Sequence, residues 1–382
     1  ALDVSPLYGR RTGIGRYCAG LLRALLAARE PDEHLVLYAL TARHALAGAD
    51  LPDVLRAAAA EPGVRLRRLT LPYRLLDLAW HHLGRPRTEA LCGRVDVVHG
   101  TSYRLPPSRR AAGVVTVHDL APLRFPEQVP AAFLRSFRRQ VTDAVRRARL
   151  VVCDSDATRA DVETLLGVER ARTRTVLLGV EPAFAAGGDP APTLRRLGIE
   201  RPYVLFVGTT HPRKNLAGLL AAFAAARGRP DVGHDLVLVG DAGFADDEVR
   251  RRVADLGLAD RVRLPGFVAD DDLPALYRSA AALAFPSHHE GFGLPVVEAM
   301  AAGCPVVTSF GSSLEEVAGG AARLVDPRDP ADIERGLVEV LTDDALRERL
   351  VRAGRERAAR FTWERTAAAH LALYRELAEA GR

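Results

Sequence analysis

Lysine and asparagine are almost missing from this chain of 382 residues: of 53 basic residues only Lys214 is lysine, and its neighbour Asn215 is the sole asparagine. Arg, Ala, Leu, Val and Gly fill the remainder, as a coding bias would produce. Where arginine occupies nearly every basic position, one lysine suggests a site that needs a compact ammonium, which a planar guanidinium does not replace. Cysteine is scarce too. The four (Cys18, Cys92, Cys153 and Cys304) are far apart with no CxxC pair, which argues against a zinc site and a disulfide framework. No apolar run reaches the roughly 18–20 residues of a membrane span. The opening ALDVSPLYGRR lacks the basic-then-apolar order of a signal peptide. A reduced cytoplasmic compartment is therefore expected, with peripheral contact at the inner membrane face left open.

What is present is the composition of a globular enzyme. Hydrophobic residues make up 48% and charged ones 26%, a balance that excludes a disordered chain. The length exceeds one ordinary core and suits two domains of roughly 150–200 residues. Charge is uneven: residues 1–185 hold 28 Arg against 19 Asp or Glu, a surplus of nine, and the remainder is acidic by four. A basic first half can face anionic lipid, nucleic acid or a phosphorylated acceptor, although an ordinary solvated surface is the plainer reading.

Short apolar runs alternate with helical patterns along the whole chain. Strands are predicted near residues 2–4, 35–40, 64–69, 95–99, 114–118, 150–154 and 173–178. Further strands are predicted near 203–208, 236–240, 262–264, 281–285, 306–308 and 323–325. Helices are predicted near 14–28, 130–148, 156–166, 215–227, 246–257, 271–279, 295–302, 331–342, 344–359 and 361–380. Many of the strand runs are nearly continuous Val, Leu and Ala, the pattern of parallel strands covered on both faces. The expectation is an α/β protein with two doubly wound Rossmann-like domains facing across a cleft, where ligands sit beyond the strands' carboxyl ends. Residues 181–192 (EPAFAAGGDPAP) read as a linker. The boundaries expected are 1–184 for the first domain, 185–360 for the second, and 361–382 for a helix returning to the first.

Residues 287–307 (SHHEGFGLPVVEAMAAGCPVV) carry the longest pattern. Gly291 and Gly293 bracket Phe292; Leu294 and Pro295 then open a helix that Gly303 closes. Glycines at a helix N-terminus let backbone amides approach an anion, favoured by the unpaired N–H groups and the dipole. Glu290 and Glu298 flank this helix start, suiting hydroxyls better than phosphate. A ligand carrying both phosphate and sugar fits the combination. Residues 206–215 (FVGTTHPRKN) end a strand at Gly208 and place Arg213 and Lys214 at the next helix, a pair suited to a phosphate leaving group. In the first half, TGIGRY (residues 12–17) follows the first strand. VTVHD (115–119) ends a strand with His118, and VCDSDAT (152–158) makes Ser155 or Asp156 a helix N-cap.

In this order the segments resemble the retaining glycosyltransferases of the GT-B fold, family 4, over essentially the whole chain, and EGFGLPVVEAMAAGCPVV matches the family's E-x7-E motif. The resemblance implies a mannosyltransferase-like enzyme that moves a hexose from a nucleotide-diphosphate sugar, GDP-mannose ahead of a UDP-sugar. The acceptor it implies is a hydroxyl of a glycan, lipid-linked or small molecule. It places Glu290 and His118 near the transferred sugar and Arg213 with Lys214 on the diphosphate. Gly13 and Gly15 fall on a mobile loop bordering phosphate and acceptor, and Gly208 in the turn beside the diphosphate. The amides of Phe292, Gly293 and Leu294 surround sugar and diphosphate, Glu298 takes the ribose hydroxyls, and backbone at Val268 meets the base. Thr209 stands where many relatives carry Arg. The family's front-face attack requires no cofactor and no metal; Ala269–Asp272 (ADDD) reads as an acidic helix start.

A sugar-nucleotide epimerase or hydrolase on the same fold is the neighbouring alternative. A dinucleotide oxidoreductase lacks its G-x-G-x-x-G with an acidic partner. The arginines of the helix near 130–148 are accompanied by no nucleic-acid motif, so no nucleic-acid partner is expected. Phe133, Leu134 and Phe137 on that helix are expected to be buried on the sheet, with an anionic membrane surface as the other reading.

Overall fold

The computed structural model describes residues 1–8, 13–41, 51–70, 73–240 and 246–381. The chain forms two compact units, residues 1–179 with 362–382, and residues 180–361. Each is built on an all-parallel sheet.

The first unit holds seven strands: β1 (Leu2–Asp3), β2 (Leu35–Thr41), β3 (Val64–Thr70), β4 (Val97–Gly100), β5 (Ala112–Val117), β6 (Leu150–Cys153) and β7 (Thr173–Thr175), in the order β3-β2-β1-β4-β5-β6-β7. Alternation along these strands divides two cores. Val115, Val117, Val151 and Cys153 face a cluster with Phe137, Val141 and Val162, whereas Val114, Leu150 and Val152 face Leu377, Leu373 and Tyr374 of the helix Trp363–Glu379. Both faces are dry, so both registers of the strand are apolar.

The second unit holds β8 (Tyr203–Val207), β9 (Asp235–Val239), β10 (Val262–Gly266), β11 (Ala282–Phe285), β12 (Val306–Ser309) and β13 (Arg323–Val325), in the order β10-β9-β8-β11-β12-β13. Strand order reverses between β1 and β4 and between β8 and β11. Such switch points open a crevice beyond the carboxyl ends, where ligands bind.

Three expectations need correction. The division falls at Gly179/Val180 and Phe361/Thr362, not at 184/185 and 360/361. Residues 181–192 are mostly exposed but not free of the unit: Phe184 is buried with its ring 5.6 Å from Tyr277, and the helix Ala191–Arg196 begins within the segment. One large aromatic outweighs the surrounding Gly and Pro. The helix Ala131–Arg147 splits its aromatic face, with Phe137 buried against Tyr103 and Phe133 51% exposed. Helices at Asp53–Ala60, Tyr73–Leu83, Thr88–Cys92 and Ser313–Ala318 have no counterpart among the predicted ones.

Candidate active site

At the switch point of the second unit, β8 ends and the chain turns through Pro212–Lys214 into the helix Leu216–Arg227. Asn215 makes that turn. It adopts left-handed backbone (φ 57), which asparagine tolerates better than most residues. Its Oδ1 accepts from Gly218 N at 3.3 Å, while Nδ2 donates to Pro286 O at 3.1 Å and Pro327 O at 2.6 Å. The buried amide therefore ties the Arg-Lys turn to the loop after β11, and His288 N adds a bond to Arg213 O at 2.8 Å.

That loop carries Glu290. Its carboxylate bridges both cations: Lys214 Nζ lies 2.6 Å from Oε1, and Arg213 Nη1 donates to Oε2 at 2.7 Å and to His289 O at 3.0 Å. The ammonium also sits 4.8 Å from the centre of the Phe285 ring. Burial would raise the Glu290 pKa, but Lys214 and then Arg213 hold it down to about 2. The cluster is two cations on one carboxylate, one positive charge in surplus.

Gly293 caps the helix Leu294–Ala302 at φ 103, and a β-carbon there would lie 2.5 Å from Leu314 Cδ2, so only glycine fits. The Ser313 hydroxyl donates to Glu290 O (2.7 Å) and Phe292 O (3.1 Å), fixing the loop, and the Phe292 ring packs edge-on to Phe361. Gly208 lies beyond β8. A β-carbon on Gly240 would collide with Gly208 O, and Gly208, Gly240 and Gly266 line a cleft of about 60 Å³ at the ends of β8, β9 and β10. Val268, just past β10, is buried. Glu298 is fully enclosed in its helix, with Tyr277 Oη donating to Oε2 at 2.9 Å. Tyr277 was not anticipated; no spacing links it to Glu298.

In the first unit, His118 follows β5. Nδ1 lies 2.6 Å from Asp154 Oδ2 and Nε2 lies 2.8 Å from Thr101 O. A carbonyl oxygen only accepts, so Nε2 carries hydrogen, and the carboxylate draws hydrogen onto Nδ1. Burial lowers the His118 pKa, yet Asp154 and the Thr101 carbonyl raise it above the usual value. Tyr17 and Tyr103 set their rings edge-on to the imidazole, and Tyr103 itself holds φ 54. Asp154 and Thr101 come from separate strand ends, which motif spacing could not connect. Gly13 and Gly15 lie in the first turn of the helix Gly13–Ala28 and not on a loop; residues 9–12 fall outside the described ones. The N-cap of the helix Asp156–Leu166 is Ser155, whose hydroxyl accepts from Thr158 N at 3.1 Å.

Beside His118 lies a second buried network. His99 contacts Tyr374 Oη (2.5 Å) and Thr116 Oγ1 (2.8 Å), and Tyr17 Oη contacts Thr116 Oγ1 (3.0 Å) and His370 Nε2 (3.3 Å). Tyr374 and His370 belong to the helix Trp363–Glu379, so this network fastens that helix to β4 and β5. Among the described residues no three His, Cys, Asp or Glu side chains gather as a metal site, and no helix is long and apolar enough to cross a membrane.

Two all-parallel sheets, the second with glycines at its strand ends and an Arg-Lys-Glu cluster at its switch point, define a class, and the comparisons agree with it. The profile Glycosyltransferase Family 4 matches residues 11–184, and Glycosyl transferases group 1 matches residues 195–357. The chain belongs to the family-4-like glycosyltransferases of the GT-B fold.

Its relatives include the O-antigen chain mannosyltransferase B of Escherichia coli, 32% identical over 367 residues and covering 94% of each chain. The D-inositol 3-phosphate glycosyltransferase of Acidothermus cellulolyticus is 32% identical over 98% of this chain and 89% of that protein. Among solved structures, the sucrose-phosphate synthase of Thermosynechococcus elongatus superposes with TM-score 0.77 at 23% identity, covering 99% and 98% of the two chains. Anabaena HepE in complex with UDP and glucose gives TM-score 0.68 at 20% identity, covering 97% and 98%.

Proposed function

We propose that this glycosyltransferase moves mannose from GDP-mannose to a hydroxyl of a growing glycan, with retention of configuration and without a metal. The observation that carries the reading is the Arg213–Glu290–Lys214 cluster beside the glycine-capped helix start. Cleaving the glycosyl–phosphate bond leaves negative charge on the diphosphate. Two cations and a helix N-terminus supply fixed positive charge there, preorganised before the donor arrives.

Neither ionisable candidate suits the role of base. Glu290, held near 2, is a weak proton acceptor at neutral pH, and both His118 nitrogens are already engaged, by Asp154 and by the Thr101 carbonyl. The acceptor proton passes instead to an oxygen of the departing diphosphate. The C1–O bond to phosphate breaks as the new glycosidic bond forms on the same face of the sugar. Glu290 accepts a sugar hydroxyl's hydrogen bond, and Glu298 the ribose hydroxyls once Tyr277 yields. The donor choice rests on the full-length similarity to a mannosyltransferase.

A phosphorylated small-molecule acceptor is the second reading. It is favoured by 37% identity over 253 residues to the D-inositol 3-phosphate glycosyltransferase of Salinispora arenicola.

The test is a donor panel of GDP- and UDP-sugars, with and without chelator, followed by anomeric assignment of the product by NMR. Chelator-resistant α-mannosyl transfer is expected. An inverted product, or turnover with UDP-sugars alone, refutes the retaining GDP-mannose reading.

A further inference from the structure

A cavity of about 770 Å³ opens at the other end of the first unit's sheet, lined by the residues just before β4 and β5. Its walls carry Arg85, Arg87, Arg94, Arg109 and Arg110, with Glu89 the acidic residue among them. Arg109 and Arg110 end the segment TSYRLPPSRR, which starts at the carboxyl end of β4 and must cross the sheet to begin β5 at its amino end. None of the five guanidiniums has an ion-pair partner among the described residues.

Glu89 offsets one of the five charges but forms no ion pair with any of them among the described residues, and its Oε1 is held by neutral donors. It accepts from Ser108 Oγ at 2.9 Å, Arg109 N at 2.9 Å and Arg110 N at 3.0 Å. Burial pushes its pKa up, but its own backbone N–H, then those of Arg109 and Arg110 and the Ser108 hydroxyl, outweigh that and hold it at about 2. Its work is to fix the 108–110 turn to the helix Thr88–Cys92. Thr88 N donates to Pro107 O at 2.7 Å for the same purpose, and Trp80 Nε1 fixes the 85–87 loop through Pro86 O at 2.9 Å.

The backbone of the cavity wall is thus preset. Five guanidiniums against one carboxylate leave it four charges positive. Like charges held together repel one another, and an anion among them turns that repulsion into attraction. Guanidinium forks bind planar faces of phosphate or sulfate bidentately, which several forks on separate loops can do at once. The volume is that of a small-molecule site, and its concavity suits a compact group better than the extended backbone of a nucleic-acid duplex.

We propose that this cavity is a binding site for a ligand bearing two or more phosphate groups, separate from the Arg213–Lys214 cluster. The site holds its ligand at the amino ends of the strands, away from the carboxyl ends where the first unit's His118 lies. It does not depend on which sugar the enzyme transfers.

Calorimetric titration of tripolyphosphate into the native chain tests it, alongside Arg87→Gln/Arg109→Gln and Arg213→Ala/Lys214→Ala variants. Binding is expected that the first variant weakens about tenfold or more and the second leaves in place. Arg87→Lys/Arg109→Lys, which keeps charge and loses the fork, is expected to bind with intermediate affinity, and thermal midpoints verify folding. Unchanged binding by the Arg87→Gln/Arg109→Gln variant overturns the proposal. So does loss in the Arg213→Ala/Lys214→Ala variant alone, or no binding by the native chain at about 1 mM in physiological salt.

Sedimentation with anionic and zwitterionic vesicles separates the sources. Anionic-vesicle binding that tripolyphosphate competes away, and that Arg87→Gln/Arg109→Gln abolishes, assigns the phosphates to a lipid headgroup. Tripolyphosphate binding without vesicle binding assigns them to a soluble ligand.

Discussion

Lys214 and Arg213 grip opposite oxygens of one carboxylate: Nζ meets Glu290 Oε1 at 2.6 Å, and Nη1 meets Oε2 at 2.7 Å. The arrangement stores two cations at a helix start without leaving either exposed. In the proposed reaction the diphosphate displaces this internal counterion in part and meets charges already in place.

Lys214→Ala is expected to lower kcat by about 10²–10³-fold, the usual effect of removing one transition-state donor. Glu290 keeps Arg213, so the variant should stay folded by circular dichroism. Lys214→Arg should not restore the rate, because a planar fork cannot replace a compact ammonium over Phe285. Near-native turnover in either variant counts against the leaving-group role.

Glu290→Gln separates stability from catalysis. The folded pKa, about 2, lies below the ordinary 4.5. The carboxylate therefore contributes stability that is present above pH 4.5 and is lost as pH falls towards 2. Denaturant titrations of the native chain should lose on the order of 3 kcal/mol across that window from this group, and the variant should lose less. An identical acid limb in both proteins contradicts the ion-pair assignment.

The first unit's histidines act in opposite senses. His118 is raised, so its contribution is complete below pH 6.5 and is lost as pH rises through the folded value. Burial lowers His370 to about 4, and burial with His370 beside it lowers His99 far below 6.5. Their contribution is present above pH 6.5 and is lost on acidification. Asp154→Asn should flatten the alkaline loss and leave the acid loss intact, whereas His370→Gln should flatten the acid loss. Stability curves measured from pH 4 to 9 decide, and indifference of both limbs would refute the assignment.

Asn215→Gly keeps the left-handed turn and removes three hydrogen bonds, whereas Asn215→Ala loses both. Each bond is worth about 1 kcal/mol. The glycine variant should be the more stable of the two, yet both should show lower kcat than the native chain, because Lys214 loses its anchor to Pro286 and Pro327. Native kcat in the glycine variant would reduce Asn215 to a turn former.

Both sheets were legible because their inner strands are apolar runs; the edge strands β3 (VRLRRLT) and β7 (TRT) are polar at alternate positions and were found through the apolar residues within or just after them. The short helices were not. Thr88–Cys92 and Ser313–Ala318 span five and six residues, too few to reveal a helical period, and Asp53–Ala60 is an alanine run with little polar contrast. Lys214 stood out as the lone lysine, and Glu290 and Gly293 through the motif around them. Partnerships between distant strand ends left no spacing to read: His118 with Asp154, Glu298 with Tyr277, and Asn215 with Pro327. Asn215 was visible only as the sole asparagine, a compositional oddity without a role until its turn was seen.

The helix Trp363–Glu379 completes the first unit, although residues 180–361 precede it in the chain. During synthesis at about 5–20 residues per second, β4, β5 and β6 emerge early with one apolar face bare, and wait many seconds before their cover leaves the ribosome. The second unit, contiguous in the chain, can mature first. A polypeptide truncated before Thr362 and released would carry a finished later lobe and an unfinished earlier one, the reverse of the usual N-terminal-first order.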